Sequence, residues 1–330
     1  MISLESEVLQ RHLPLFRGKS VLFAGGINDQ FPSQIAPHCS AVSIWSSYFD
    51  YARHADAVDF GVEFEGEADL IIYYWTKNKQ EVQFQLMQLL ARAKDAQEIL
   101  IVGENRSGVR SVEKMLAPFG NTAKIDSARR CGLYYFSLQK RPQFALADYW
   151  KSYRHPQLDG LIVHSLPGVF SAHELDVGTA LLLSTLQNRI NGKILDLGCG
   201  AGVIGAMIKK RNPDAQITMT DIHAMALASA RKTLAENQLE GDVLASDVFS
   251  NVEGKFDLII SNPPFHDGIN TAYRTVQELI GQAKKHLNQG GELRIVANAF
   301  LPYADLLQHH FDVFDILAQT SKFKVYSAKN

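Results

Sequence analysis

Asn262-Pro263-Pro264-Phe265 is the stretch best equipped for chemistry. It follows an apolar run, Phe256-Asp257-Leu258-Ile259-Ile260-Ser261, which reads as a buried strand. Two successive prolines fix φ near −65° and remove two backbone donors. They also bias Asn262 toward an extended conformation. The result is a stiff ledge of acceptors, the Asn262 side-chain oxygen and the Pro263 carbonyl, with the flat ring of Phe265 beside them. Two acceptors and a stacking face suit a planar base that carries an exocyclic amino group. A proline-stiffened turn with a core Phe is the bland alternative, so the rest of the chain has to decide.

A second constellation lies upstream. Lys193-Ile194-Leu195-Asp196-Leu197 reads as a strand, Gly198-Cys199-Gly200-Ala201-Gly202 as the loop after it, and Val203 onward as a helix start. Strand, glycine loop and helix N-terminus together make a ligand site. Glycine lets a ligand approach the backbone, and the helix start offers free N–H groups. Gly200, Gly202 and Gly205 also satisfy G-x-G-x-x-G, which would fit a dinucleotide. Asp196 stands against that reading. Just before the loop its charge would repel a pyrophosphate and favour a ligand with a positive amino group. Asp221 closes a second strand, Ile217–Asp221, where a ribose hydroxyl acceptor is usual, with Ile222 next to it. A third strand, Val243–Val248, is expected to present Asp247 to an adenine amino group, with Val248 packing on the ring.

These groups require a sheet to hold them. Apolar strands alternate with helical spacers, which indicates an α/β protein. Expected elements of the first half are a helix over residues 4–16, strands at 20–24, 68–75 and 99–103, and a helix over 81–94. In the second half Leu175 onward opens a helix to about Gln187, and residues 292–296 form a late strand. The halves echo each other. Asp69-Leu70-Ile71-Ile72 matches Asp257-Leu258-Ile259-Ile260, Glu98–Val102 resembles Glu292–Val296, and Lys19–Leu22 has a counterpart in Lys193–Asp196. A duplicated domain follows, divided as 1–150 and 151–330 across a joint between Gln139 and Gly160. The first copy has Tyr73-Tyr74-Trp75-Thr76 where the second has its proline ledge. It is therefore expected to be catalytically silent and to bind substrate or support folding.

The 330 residues exceed what one core commonly holds, and 46% apolar with 21% charged residues is ordinary for a globular protein. No long apolar run predicts a membrane span, and the first residues do not read as a signal peptide. Cys39, Cys131 and Cys199 lie far apart with no CxxC pair, which argues against a metal site or a disulfide framework and fits a reducing cytoplasm. Net charge is −2, but its distribution is uneven. Residues 1–100 carry 8 basic and 13 acidic side chains, whereas residues 101–155 carry 10 and 4. A basic stretch on a neutral protein can meet a polyanion. Arg106, Arg110, Arg129 and Arg130 are its candidate phosphate contacts, and His266, Lys322 and Lys324 are further substrate candidates.

Taken together, Asp196–Gly202, Asp221, Asp247 and the ledge resemble class I S-adenosylmethionine-dependent methyltransferases that act on amino groups. Further segments narrow the likeness: residues 103–110, 126–133, 166–171, 265–268, 291–298 and 322–326 resemble the bacterial 16S ribosomal RNA guanine-N2 methyltransferases over nearly the whole chain. The resemblance implies two tandem Rossmann-like methyltransferase domains, the first degenerate. It implies S-adenosylmethionine as cofactor, held by Asp196, Gly198, Cys199, Gly200, Gly202, Asp221, Ile222, Asp247, Val248, Asn262 and Phe170. It implies catalysis at Asn262, Pro263 and Phe265, with no metal. The implied substrate is the N2 amino group of one guanosine, nucleotide 1207 in the usual 16S numbering, on assembled 30S subunits, and the implied enzyme is a cytoplasmic monomer. Amino methylation of another acceptor (a 23S rRNA guanine, DNA adenine or a protein glutamine), a nicotinamide dehydrogenase and a non-catalytic RNA-binding factor are the competing readings. The ledge by itself does not separate the acceptors.

Overall fold

A computed structural model describes residues 2–186, 189–263 and 269–330, with backbone only at 269–272. The chain divides into two compact units, Met1–Tyr149 and Trp150–Asn330.

The first unit is built on seven strands: β1 Ser20–Gly25, β2 Ala41–Ser46, β3 Val58–Phe60, β4 Leu70–Tyr74, β5 Glu98–Glu104, β6 Gly120–Ala128 and β7 Cys131–Leu138. Their order across the sheet is β3-β2-β1-β4-β5-β7-β6. All neighbours are parallel except at β7, which runs antiparallel to both β5 and β6. The second unit opens with a small hairpin, β8 Lys151–Tyr153 and β9 Val163–Ser165. It continues with β10 Lys193–Leu197, β11 Gln216–Asp221, β12 Asp242–Ala245, β13 Phe256–Ser261, β14 Leu287–Asn298, β15 Phe314–Gln319 and β16 Phe323–Lys329. Their order, β12-β11-β10-β13-β14-β16-β15, is that of the first unit. In both, the chain works outward from the centre in one direction and then the other. This opens a crevice at the carboxyl ends of the two central strands, the usual ligand position of such sheets.

The central strands are mostly apolar because both faces are covered, with Asp196 in β10 a buried exception. Ile194, Leu195, Ile259 and Ile260 are fully buried, as are Phe23, Ile72, Leu100 and Ile101 in the first unit. Each such side chain stabilises by about 1.5–3 kcal/mol relative to exposure. The helix Lys79–Arg92 starts at Asn78, whose side chain accepts from Gln80 N and Glu81 N, and it buries Val82, Leu86, Leu89 and Leu90.

Several boundaries differ from the sequence expectation. The first helix stops at Gln10, and a 3-10 turn, Leu13–Leu15, carries Pro14, which has no N–H to continue the ladder. The helix after Leu175 spans Val177–Ser184. The third strand ends at Ala245, before Asp247. Beyond it Ser246 Oγ donates to Val248 O and accepts from Asn251 N, and Val248 lies in the left-handed region at φ 49°. The chain has turned out of the sheet by that point. Two of the repeat's matches also shift by one residue, while Asp69 with Asp257 and Glu98 with Glu292 hold. Asp69 Oδ2 accepts from Ser20 N (2.9 Å), as Asp257 Oδ2 accepts from Lys193 N (2.8 Å). Ser20, rather than Lys19, is thus the counterpart of Lys193, and Tyr74 that of Asn262.

Candidate functional site

β10 and β11 pair so that Asp196 lies beside Met219, and β10 pairs with β13 so that Asp196 lies beside Ile260. This register carries Asp196, Asp221 and Asn262 to one edge of the sheet. The loop from Gly198 to Gly202 tops β10. Its amides at Gly198 and Cys199 both donate to Thr220 O (2.8 and 2.9 Å). Gly198, Gly200 and Gly202 all have positive φ (73°, 53° and 79°), which L side chains adopt only under strain. A β-carbon at Gly198 would meet nothing within 4 Å, so the space above the loop is open. At Gly202 it would press on Ala230 (3.0 Å), and at Gly205 on Met219 (2.4 Å), so those two glycines serve close helix packing.

Asp196 is fully buried. Its Oδ2 accepts from Gly205 N at 2.8 Å, while Oδ1 has no partner among the described residues. Burial pushes its carboxyl up to about 7. The Gly205 amide opposes the shift, and the nearby charge of Asp221 adds to it. A cationic group beside Oδ1 would reverse the shift. Asp221 is also raised, by burial, although Oδ1 accepts from His223 N (2.9 Å) and Oδ2 from Gly200 N (2.9 Å). Both oxygens are therefore anchored, and their remaining lone pairs are what a hydroxyl donor would use. Cys199 is buried, its thiol pushed well up by burial and by the two carboxylates, so it lines the loop as an inert side chain.

Asn262 is held by residues that sequence reasoning assigned only to a helix start. Its Nδ2 donates to Asp176 Oδ2 (2.9 Å) and to Thr179 Oγ1 (2.8 Å). Asp176 is the N-cap of the helix Val177–Ser184, accepting from Thr179 N at 2.8 Å. With both amide hydrogens placed, Asn262 Oδ1 faces away as a buried acceptor with no partner among the described residues. An Asp-x-x-Thr spacing at a helix start signals a cap, but nothing local signals its second role across 86 residues. Pro263 is buried next to it. Phe265 and His266 lie outside the described residues.

Phe170 is half exposed, and its carbonyl lies 3.9 Å from the β-carbon position of Gly200. It is carried by a segment latched to the helix Ala224–Glu236. Ile162 N donates to Asn237 Oδ1, His164 N to Thr233 Oγ1 and Leu166 N to Ser229 Oγ, at 2.9–3.0 Å. Asp247 and the buried Val248 follow β12, whose Ala245 pairs with Asp221. They therefore flank the same edge from a loop instead of a strand end. Ile222 is half-buried there.

The remaining candidates separate. Lys322 is exposed in the β15–β16 turn and Lys324 half-buried in β16, both near the carboxyl end of β14. Tyr326, two residues beyond Lys324, is a core residue packed on Phe314. Arg106, Arg110, Arg129 and Arg130 are exposed in the first unit. Arg129 pairs with Glu7 at 2.7 Å, and Arg110 stands 4.0 Å from Glu113. Among the described residues no group of three His, Cys, Asp or Glu could hold a metal ion, and no helix is long and apolar enough to cross a membrane.

S-adenosylmethionine fits this edge on observations of the chain itself: an open glycine cradle and a buried acceptor oxygen, Asp196 Oδ1, with no partner among the described residues. Comparison with known proteins agrees. Residues 160–327 match the methyltransferase small domain, and residues 6–153 the N-terminal methyltransferase small domain. The ribosomal RNA small subunit methyltransferase C of Haemophilus influenzae (strain PittGG) is 73% identical over 330 residues, covering 100% of both chains. That of Pasteurella multocida (strain Pm70) is 70% identical over 329 residues, again covering 100% of both. Among solved structures, the T. thermophilus 16S rRNA N2 G1207 methyltransferase, in complex with AdoMet and guanosine, has the same fold, with a TM-score of 0.87 at 23% identity over 99% of this chain and 92% of that one. With relatives this similar over its full length, the chain belongs to the ribosomal RNA small subunit methyltransferase C family.

Proposed function

We propose that this enzyme methylates the N2 amino group of one guanosine of 16S rRNA, the position corresponding to nucleotide 1207, on the assembled 30S subunit. The observation that carries the chemistry is the fixed amide of Asn262. Its two hydrogens are taken by Asp176 and Thr179, so it can only accept at Oδ1. An exocyclic guanine amine is a poor nucleophile because its lone pair is delocalised into the ring. Asn262 Oδ1 and the Pro263 carbonyl each accept one of its N–H hydrogens, turn the lone pair out of the ring plane and offset the positive charge that grows on nitrogen. Because the acceptor is locked beforehand, no reorganisation is needed as that charge develops.

S-adenosylmethionine, when bound, supplies a methyl group on a sulfonium leaving group. Asp196 would face its amino group, the Gly198–Gly202 loop would lie under its methionine part, Asp221 would accept from its ribose, and Asp247 with Val248 would meet the adenine. The target base must leave its stack to reach this edge. After transfer the surplus proton on nitrogen passes to water. The first unit supports the reaction by gripping the RNA backbone, through phosphate contacts from Arg106, Arg110, Arg129 and Arg130.

The test is methyl transfer from labelled S-adenosylmethionine to 30S subunits lacking the modification, to free 16S RNA, to DNA and to bulk protein. Label on guanine N2 of the 30S subunits supports the reading. Tight cofactor binding with no label on 30S subunits overturns the substrate and redirects the assignment to whichever acceptor is labelled.

A further inference from the structure

Phe300 is the most exposed large apolar side chain described, at 82%. It sits in the turn after β14, on the edge that carries Asn262. The turn is firmly mounted. Ala299 N donates to Lys322 O (2.8 Å), Leu301 N to Asn298 O (3.0 Å) and Tyr303 N to Leu301 O (2.9 Å). A phenyl ring held in water on an ordered turn costs hydration free energy and gains nothing for the fold. Its neighbour across the clamp is the exposed Lys322. Next to Lys322 is Phe323, whose ring lies 3.3 Å from the β-carbon position of Gly178, in the first turn of the helix capped by Asp176. The Phe300–Lys322 clamp is thus followed directly by a ring that packs on the helix whose cap, Asp176, holds the Asn262 amide.

The first unit repeats this clamp. In the first unit Asn105 N donates to Arg130 O, also at 2.8 Å. β5 and β7 pair Glu104 with Cys131, as β14 and β16 pair Asn298 with Phe323. Arg106 is therefore the counterpart of Phe300, and Arg130 of Lys322. Two guanidinium groups at one clamp suit phosphates. A ring and an ammonium at the other suit a nucleobase and its phosphate, the combination by which proteins hold unpaired nucleotides.

We infer that Phe300 and Lys322 form a second nucleotide subsite, in which Phe300 stacks on an unpaired base flanking the target guanosine and Lys322 meets the phosphate between them. This rests on the reading of the enzyme as one that acts on a polynucleotide. The test uses the full-length enzyme and unmodified 30S subunits, with two readouts: steady-state methyl transfer, and filter binding to subunits in the presence of S-adenosylhomocysteine. Phe300→Ala raises KM and the binding constant about tenfold or more, the scale of one lost base stack, with kcat within about twofold. Phe300→Trp restores both, Phe300→Leu does not, and Lys322→Ala weakens binding less and flattens its salt dependence. Cofactor affinity, measured by calorimetry, is unchanged in all. Wild-type KM in Phe300→Ala, or rescue by Leu equal to that by Trp, overturns the subsite, the latter in favour of an apolar contact with a ribosomal protein. A wild-type enzyme that methylates nothing on 30S subunits, yet loses binding on Phe300→Ala, fails the proposed reaction and leaves the subsite standing.

Discussion

The two units place different residues at the same three points of one scaffold. Where the second has Asp196, Asp221 and Asn262, the first has Phe23, Ser46 and Tyr74, all buried. Phe23 lies 6.2 Å from Phe31 and 6.3 Å from Tyr74 between ring centroids, and Tyr74 Oη hydrogen-bonds Ser6 Oγ at 2.7 Å. Aromatic packing and the first helix occupy what is open in the second unit. Ser46 keeps half of Asp221's work, its Oγ accepting from Tyr48 N (3.1 Å) as Asp221 accepts from His223 N. It has no charge with which to hold a ligand. The difference teaches that the turn geometry survives without the site, whereas the site is a matter of three side chains and one gap.

The sharpest way to break this comparison is to truncate the matched pair. Asn262→Ala lowers kcat by about 10²–10³-fold, as loss of one preorganised transition-state partner does, while leaving the cofactor dissociation constant and the unfolding midpoint near wild type. Tyr74→Ala does the reverse. It destabilises by about 3–5 kcal/mol in urea unfolding and leaves kcat of the folded fraction unchanged. A large kcat loss in Tyr74→Ala at full folding would mean that the first unit takes part in catalysis.

Next in size is a pH effect confined to the second unit. Asp196 has a folded value near 7, above its unfolded one, so the folded protein holds an extra proton between about pH 4 and 7. The stability it contributes is full below about pH 4 and is lost as pH rises through about 7. A cationic amino group prefers the carboxylate. Affinity for S-adenosylmethionine should therefore rise about tenfold between roughly pH 5.5 and 7 in calorimetry. Asp196→Asn should bind more weakly at neutral pH and lose that slope, and an unchanged slope would detach Asp196 from the cofactor.

Glycine substitutions sharpen the contrast further. Gly198→Ala places a methyl group in open space, at the cost of about 1–2 kcal/mol for the left-handed backbone, and mainly raises the cofactor dissociation constant. Gly25→Ala, at φ 88° and with its β-carbon 2.2 Å from Tyr74 O, loses more stability by thermal melting and no cofactor affinity beyond that. The smallest effect is at the support of the ledge. Asp176→Asn keeps a competent cap yet can present an N–H to Asn262, and should reduce kcat several-fold with stability within about 1 kcal/mol.

How much of this was legible in the sequence follows from distance along the chain. The Asp196–Gly202 loop announces itself because strand, glycines and helix start are contiguous and each residue type has a local reason. Asp221 could be placed because its separation from the loop is set by one helix and one strand. Asp176 and Thr179 could not be assigned, because their bond to Asn262 exists only once two distant strands and a helix have packed, and a cap explains them adequately without it. Asp247 was placed on a strand that stops two residues earlier, since apolar periodicity does not see the Ser246 turn. The repeat was visible and its register right at Asp69 with Asp257 and at Glu98 with Glu292, but one residue off at Lys19 and at Tyr73. Lys19 and Lys193 look alike in sequence, whereas Asp69 and Asp257 mark the true equivalence through their backbone bonds.

Gly25 carries a consequence for the first unit. It is the counterpart of Gly198, and both keep a left-handed backbone. In the second unit that glycine leaves room for a guest. In the first, the carbonyl of Tyr74 lies 2.2 Å from the β-carbon position, so a side chain there is forbidden by the protein's own backbone. The same left-handed glycine thus borders open space in one unit and is enclosed by packing in the other. Reopening the cradle in the first unit would require Phe23, Tyr74 and the strand beneath them to move together, a change larger than one side chain.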